Sequence, residues 1–214
     1  MQFEVEQIIK EVRVALDRNN DSAPLIATDD IDTLTLDEII ESKIAEATRI
    51  VEVNAPTFLL EGGKDFANSV DWLGEVGKSS GRIHLPDDFL RLVSFKMSDW
   101  VRAVSVVITD DHPLYEMQSS RYPGIRGCPQ DPIVAIVTQP IGQVLEFYSC
   151  DGGEDVYIQR ARYIPIPKVE DGHIDICEKL RPAVVHYAAA LVAQIIGQAD
   201  LATSLINISN ELQK

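Results

Sequence analysis

The chain has few cysteines, and their spacing fits no known framework. Its 214 residues include 3 cysteines, Cys128, Cys150 and Cys177, and no two of them stand at the CxxC spacing of redox and zinc sites. An odd number of widely spaced cysteines also argues against the disulfide framework of a small secreted protein. We therefore expect reduced thiols and a chain made in a reducing compartment.

Positive charge is also scarce. Against 34 Asp and Glu residues stand 19 Lys and Arg, which gives a formal net charge of −15. Proteins that bind DNA or RNA specifically carry basic patches that neutralise phosphates. No such patch is visible in the sequence, so we expect no specific nucleic-acid binding.

Long apolar runs are missing as well. The most apolar stretch, residues 183–196, is shorter than the roughly 20 residues that a membrane-spanning helix needs, and it contains His186 and Gln194. The first 20 residues are charged throughout and lack the apolar core of a signal peptide. The sequence therefore predicts no contact with a membrane.

Signatures of catalysis and of metal binding are absent too. The sequence has no HExxH, no GxSxG and no phosphate-binding glycine motif, and the four histidines, His84, His112, His173 and His186, are far apart. We predict that the chain has no catalytic residues, no metal site and no cofactor.

Two acidic clusters leave an alternative open. Asp87 and Asp88 follow a proline, and Asp110 stands just before His112 and a second proline. Turn chemistry explains both clusters, because Asp side chains bond the free amides of tight corners. The alternative is a small hydrolase or nucleotide-processing enzyme that uses Asp87, Asp88, Asp110 or His112, which would have to converge on one pocket.

Helical periodicity marks both ends of the chain. Apolar residues in 5–16 recur at helical spacing, which predicts an amphipathic helix ending near residue 19. Thr35-Leu36-Asp37-Glu38 has the form of a capping box, so a second helix should begin there and end near Asn54. Two helices follow Pro182, one rich in alanine and one amphipathic over 201–212.

Between these helices the periodicity changes to two. From about residue 82 to 164, short alternating runs separated by turn residues predict four to six antiparallel strands, broken by a loop over 110–130. The fold class is therefore α+β, a helical bundle formed by the N- and C-terminal helices with an inserted antiparallel β domain. The predicted boundaries are 1–20 for an N-terminal helix or arm, 33–80 and 175–214 for the helical core, and 81–170 for the β insertion.

One corner of the β region also carries a family resemblance. Residues 85–92 read Leu-Pro-Asp-Asp-Phe-Leu-Arg-Leu, and Trp100-Val101-Arg102 follows. This order resembles the LP-x-D-F-L-R corner of head–tail connector (adaptor, ring or neck) proteins of tailed bacteriophages, most of all the ring proteins of crAss-like phages. The similarity covers about residues 36–205. Further segments match the family in the same order: 38–51 with 54–56, 112–118, 129–134, 146–148, 179–180 and 184–192.

The resemblance implies a structural virion protein rather than an enzyme. The family forms a ring, usually of twelve copies, in the neck between capsid portal and tail, and it is assembled in the host cytoplasm. Such a ring docks on the portal protein, extends the DNA channel and carries further tail or ring proteins. Genomic DNA would pass through it without specific binding, and the charge of −15 is compatible with that.

The contacts of such a ring are expected from the long loop and from the helices. Aromatic and arginine side chains are common interface anchors, and the loop over 119–130 has no evident partner inside the chain. The candidate interface residues are Tyr122, Ile125, Arg126, Glu41, Arg49, Leu205 and Ile208. A third interpretation, a monomeric β-domain adaptor of a cellular complex, differs in forming no closed ring.

Overall fold

The computed structural model describes most of the chain and divides it into two units. The residues it does not describe are 17–33, 61–62, 67–68, 74–78, 121, 123–124, 141 and 153–154. One unit joins Met1–Gly62 to Ile166–Lys214 and is named here the helical unit. The other, Gly63–Pro165, is named the β unit. The predicted end of the first helix, near residue 19, lies outside the described residues.

Helices dominate the helical unit. Among the described residues the α-helices are α1 (Val5–Ala15), α2 (Leu36–Asn54), α3 (Pro113–Met117), α4 (Arg181–Ile195) and α5 (Ala199–Glu211). All but α3 belong to the helical unit, where α4 packs against α1, α2 and α5. The alanines of α4 are fully buried, so their small side chains let these neighbours approach closely. The predicted α+β class is confirmed: helices from both chain ends pack together, and the strands of the β unit are inserted between them in the sequence.

The start of α2 follows the predicted capping chemistry. The Thr35 hydroxyl accepts a hydrogen bond from the Glu38 amide at 3.3 Å, and the Thr35 amide donates to the Glu38 carboxylate at 2.6 Å. These reciprocal bonds satisfy two amides that a helix start leaves free. The helix ends at Asn54, because Ala55 is extended before Pro56.

Short strands complete both units. In chain order they are β1 (Gln2–Glu4), β2 (Lys64–Asp65), β3 (Asp71–Trp72), β4 (Gly81–His84), β5 (Phe89–Met97), β6 (Ile108–Thr109), β7 (Val134–Gln139), β8 (Gly142–Phe147), β9 (Ile158–Pro165), β10 (Val169–Glu170) and β11 (His173–Asp175). In the helical unit the strand order is β1-β11-β10, with both pairs antiparallel. Residues 169–170, which the predicted boundaries assign to the β insertion, and residues 171–174, which they assign to no domain, therefore lie in the helical unit.

The β unit holds two sheets around an aromatic core. Their strand orders are β2-β9-β5 and β3-β4-β8-β7-β6. Phe147 lies at the centre of the core, with its ring centroid 5.7 Å from Trp72, 5.6 Å from Phe95 and 6.0 Å from Trp100. The core is formed by side chains of both sheets, since β5 contributes Phe95 and β8 contributes Phe147.

Two features of the β unit depart from the predicted pattern. The alternating run over 103–108 predicts a strand, but Val104 forms only a single bridge with Phe95, and Val106 is exposed. Only β6 remains of that strand, and it pairs with β7 in parallel rather than antiparallel fashion. Along β5, register shifts interrupt the alternation, so Leu92 and Phe95 are buried although they are three residues apart.

The structure describes all three cysteines and the apolar helix α4. All three cysteines are free, with Cys150 and Cys177 buried and Cys128 half-buried. None of the helices among the described residues combines the length and the apolar composition needed to cross a membrane.

Candidate functional site

The Asp87–Asp88 pair occupies a turn that leads into β5. The Phe89 amide donates to the Pro86 carbonyl at 3.0 Å, which closes the turn. Asp88 accepts hydrogen bonds from the Tyr163 hydroxyl at 2.7 Å and from Lys64 Nζ at 3.0 Å, whereas Asp87 is exposed. Burial acts to raise the pKa of Asp88, but the bonds from Tyr163 and Lys64 outweigh it and leave the pKa below its usual value. Asp88 thus joins the turn to β9 and β2 as an ionised acceptor.

The second acidic cluster lies at the start of α3. His112 is the N-cap residue, and its Nδ1 accepts a hydrogen bond from the Leu114 amide at 3.2 Å. Asp111 accepts a hydrogen bond from the Thr109 hydroxyl, and Asp110 is exposed. These contacts are those of a helix start. They place His112 and Asp110 after β6 in one sheet, whereas Asp87 and Asp88 precede β5 in the other.

A buried carboxylate joins α3 to the five-stranded sheet. Glu146 on β8 is only 6% exposed, and its Oε2 accepts hydrogen bonds from the hydroxyls of Tyr115 at 2.9 Å and Tyr148 at 2.6 Å. Gln139 Nε2 donates to the other oxygen at 3.3 Å. The rings of Tyr115 and Tyr148 also meet edge to face at 6.5 Å. The carboxylate is therefore bonded by side chains from α3, from β7 and from the end of β8.

A second set of bonds closes the loop that follows α3. Buried Gln118 receives a hydrogen bond from the Gly127 amide at 2.9 Å and donates to the Leu114 carbonyl at 2.8 Å. Gly127 itself is tightly enclosed, because a Cβ there would lie 2.2 Å from the Ser149 hydroxyl oxygen. That hydroxyl in turn accepts a hydrogen bond from the Ile133 amide at 2.9 Å. Only a glycine fits this approach of the loop to the sheet.

The loop therefore has internal partners that the sequence did not reveal, yet some of its side chains remain exposed. Leu114, Met117, Tyr122 and Ile125 are 39% to 71% exposed, and they are named here the exposed loop set. Arg126 is half-buried, and its amide donates to the Tyr122 carbonyl. Scattered exposed apolar residues are ordinary, but four of them lie within residues 114–125, which makes this segment a candidate interaction surface.

The candidate residues on the helices are divided between surface and core. Glu41 and Arg49 are exposed on α2, and Ile208 is 44% exposed on α5. Leu205, in contrast, is 4% exposed, because it lies on the face of α5 that packs against α4. Leu205 therefore packs within the helical unit, whereas Ile208 and Leu212 of the same predicted stripe stay 44% and 43% exposed. The use of Leu205 by a partner stays a prediction.

An open groove lies on the surface of the helical unit, between α1 and α4. Its volume is about 470 Å³. The Arg181 guanidinium lies 2.5 Å from the Glu11 carboxylate and 4.5 Å from the centroid of the Phe3 ring, so its charge is already compensated inside the unit. The lining residues are Glu11, Val14, Ala15, Arg181, Pro182, Val185 and His186.

Sequence reasoning missed the cluster around Glu146. The sequence places residues 146–148 in the alternating region and in the family pattern, and neither interpretation singles out the carboxylate between the buried apolar residues Leu145 and Phe147. That contrast, together with Tyr148 two residues later, is the signal that the sequence offered. The partner Tyr115 is 31 residues away and lies in a segment predicted to be irregular.

Among the residues that the structure describes, no three His, Cys, Asp or Glu side chains are grouped so that they would hold a metal ion. A scan of the chain against models of protein families found no match, and a search of curated proteins found no significant match. The exposed loop set and the bonds that hold its segment to the sheet are the surface feature on which a function can be argued.

Proposed function

We propose that this chain is a structural virion protein, the subunit of a head–tail connector ring in the neck of a tailed bacteriophage. It docks on the portal protein, extends the DNA channel and provides the platform to which further tail or ring proteins attach. The order of motifs from residue 36 to residue 205 supports this assignment, and so does the α+β architecture with an inserted β unit.

The observation that carries the proposal is the exposed loop set. Leu114, Met117, Tyr122 and Ile125 place apolar and aromatic surface in solvent on a segment that Tyr115 bonds to the sheet and that the bond between Gln118 and Gly127 closes. Burial of such side chains drives association, at roughly 25 cal/mol for each Å² of apolar surface removed from water. A structural subunit works through contacts of this kind, with its partners or with further copies of itself.

The acidic clusters give less support to the hydrolase alternative. Asp88 is engaged by Tyr163 and Lys64, and His112 uses its Nδ1 to cap α3. A general base must come within hydrogen-bonding reach of the proton that it removes, with a lone pair to accept it. The two clusters also belong to turns of different sheets. We therefore propose an assembly role without catalysis.

The charge of the chain is compatible with a DNA channel. Each copy contributes a formal charge of −15, so a ring of twelve copies would be strongly acidic. Acidic walls repel the phosphate backbone, and DNA would slide past them without adhering. Tight, salt-dependent binding of DNA by the isolated ring would contradict this part of the proposal.

The first experiment is native mass spectrometry of the purified chain over a range of concentrations. A closed ring near twelve subunits is the expected result, and it would leave the monomeric adaptor without support. If the chain alone is monomeric, the same measurement is repeated with the portal protein of the same virus, which would act as a template. A chain that stays monomeric in both cases contradicts the connector proposal.

A pair of substitutions tests the loop directly. Tyr122→Ala combined with Arg126→Ala should leave a folded subunit that no longer enters the assembly, because it removes an exposed aromatic ring and a nearby guanidinium. The matched control is Tyr157→Ala with Arg102→Ala, which removes the same two side-chain types from exposed positions of the β unit. Normal incorporation of the loop variant, or equal loss with the control, would rule out the loop as the contact.

A further inference from the structure

One face of the sheet β2-β9-β5 is basic. Arg160 and Arg162 lie on the exposed side of β9, because Ala161 between them is buried in the core. Lys96 on β5 is the direct cross-strand partner of Arg160, so these two cations project on the same side of the sheet. On β2, the Asp65 carboxylate accepts a hydrogen bond from Arg162 Nε at 3.3 Å. The surface formed by Lys96, Arg160 and Arg162, with Asp65 beside them, is named here the basic face.

The basic face is only partly compensated. Like charges that stand directly opposite each other destabilise an antiparallel pair, and Lys96 and Arg160 stand in that position. In the part of the chain that the structure describes, no carboxylate lies within ion-pair distance of either side chain. Arg162 is paired with Asp65, but both side chains are more than half exposed. The fold of one copy therefore gives no reason for these adjacent cations, whereas a carboxylate surface of a partner would remove their repulsion.

The helical unit carries a face of opposite charge, on the sheet β1-β11-β10. Glu4 on β1 and Glu170 on β10 are both cross-strand partners of His173 on β11. Asp175 lies on the same side as His173, because Ile174 between them is buried. Glu4, Glu170 and Asp175 are all exposed, and they are named here the acidic face.

The two faces match in charge and in size. The basic face includes Asp65, and the acidic face adjoins exposed Lys168 just before β10, so each face keeps an excess of two charges, of opposite sign. Neighbouring strands lie about 5 Å apart and alternate residues of one strand about 7 Å apart, so each face gathers its three like charges within roughly 10 Å. Charges arranged in this complementary way favour association and determine which surfaces meet.

We propose that the basic face of one copy of this chain binds the acidic face of the next copy, head to tail. A contact between two different surfaces of the same chain leaves each pair with one free face of either kind, so the contacts close into a ring or continue as a filament. The charges favour a second copy over nucleic acid, because three cations neutralise few phosphates and the chain as a whole, at −15, repels them. The contact is argued from the two faces, and its closure into a ring rests on the proposed function.

Charge reversal on either face tests the contact. Arg160→Glu with Arg162→Glu reverses the basic face, and Glu170→Lys with Asp175→Lys reverses the acidic face. In sedimentation velocity at low salt, each variant should associate at least about tenfold more weakly than the wild type, because repulsion replaces attraction. Association of the wild type should itself weaken as the salt concentration rises, since the charges that meet are exposed.

A mixture of the two variants gives the sharpest comparison. Each variant keeps one native face that fits the native face of the other, and the two reversed faces are again opposite in charge. The equimolar mixture should therefore associate like the wild type, although neither variant does so alone. The matched control is Lys10→Glu with Lys214→Glu, which changes the net charge as much as the basic-face variant does, at exposed positions outside both faces, and should associate like the wild type. A mixture no better than its separate components, or an equal loss in the control, would overturn the head-to-tail contact.

Closure into a ring is measured separately, by native mass spectrometry with and without the portal protein. If both face variants form the ring as readily as the wild type, the contact fails and the connector proposal stands. If the variants and their mixture behave as expected but no ring closes, the contact stands and the connector proposal fails. A wild type that never associates overturns both. Salt-sensitive binding of a DNA duplex by such a monomer, lost on reversal of the basic face, would assign that face to DNA instead.

Discussion

Replacement of Phe147 by alanine tests whether the Phe147 ring fills a closely packed core in the β unit. Phe147 is fully buried, and its ring meets Trp72, Phe95 and Trp100 at centroid distances of 5.6 to 6.0 Å. Truncation of a buried Phe costs about 3–5 kcal/mol through lost burial and the cavity left behind. The loss of aromatic pairs, at roughly 0.5–1.5 kcal/mol each, places the expected cost near the upper end of that range.

Tryptophan fluorescence during urea unfolding is the suitable assay for this variant. The chain has 2 tryptophans, Trp72 and Trp100, and both lie in the β unit beside Phe147. Their emission therefore reports on that unit, while the helical unit contributes no tryptophan signal. With a dependence on urea of about 2 kcal/mol per molar, the midpoint of the fluorescence transition should fall by roughly 2 M.

The matched control is Phe58→Ala. Phe58 is 68% exposed in a short 3₁₀ helix of the helical unit, so the same chemical change should alter stability by less than about 0.5 kcal/mol. A Phe147→Ala variant whose fluorescence transition loses less than about 1 kcal/mol would refute the inference that this ring fills a closely packed core.

Two further predictions concern pH. Glu52 accepts a hydrogen bond from the Cys177 amide, and burial raises its pKa. The folded state therefore favours protonated Glu52, so the chain loses stability as the pH rises through this raised pKa. Glu52→Gln should therefore melt at a higher temperature than the wild type at pH 8 and at a similar temperature at pH 4, and equal differences at both values would contradict this. Burial and the bond to Asp88 raise the pKa of Tyr163 from 10.0 to about 12, so about 2 kcal/mol of stability should be lost as the pH rises from 10 to 12. Tyr163→Phe should lose less over that window in urea titrations, and an identical loss would refute the assignment.

The elements with strong local signals were predictable from the sequence. The capping box at Thr35 and Pro56 after the helix fixed both ends of α2 closely, because each acts on the backbone next to it. The turn at Asp87 and Asp88 was predicted for the same reason. Local chemistry of this kind does not depend on the rest of the fold.

Elements that rely on distant partners were missed or misread. Strand β1 is three residues long and pairs with the distant strand β11, so no alternating pattern in its own sequence predicts it. Helix α3 has only five residues, within a segment predicted to be a loop, and so short a helix shows no periodicity in the sequence. On α5 the predicted helix is present, but its apolar pattern does not say which residues face α4: Leu205 is buried, whereas Ile208 and Leu212 are exposed.

The Glu146 cluster could not be predicted from local signals in the sequence. A glutamate in a strand is ordinarily exposed, and only the pairing of β8 with both β4 and β7 places position 146 inside the sheet. Its three donors come from positions 115, 139 and 148, which no single motif connects. The same dispersion makes the cluster a structural tie, because a carboxylate bonded from separate segments fixes those segments relative to one another.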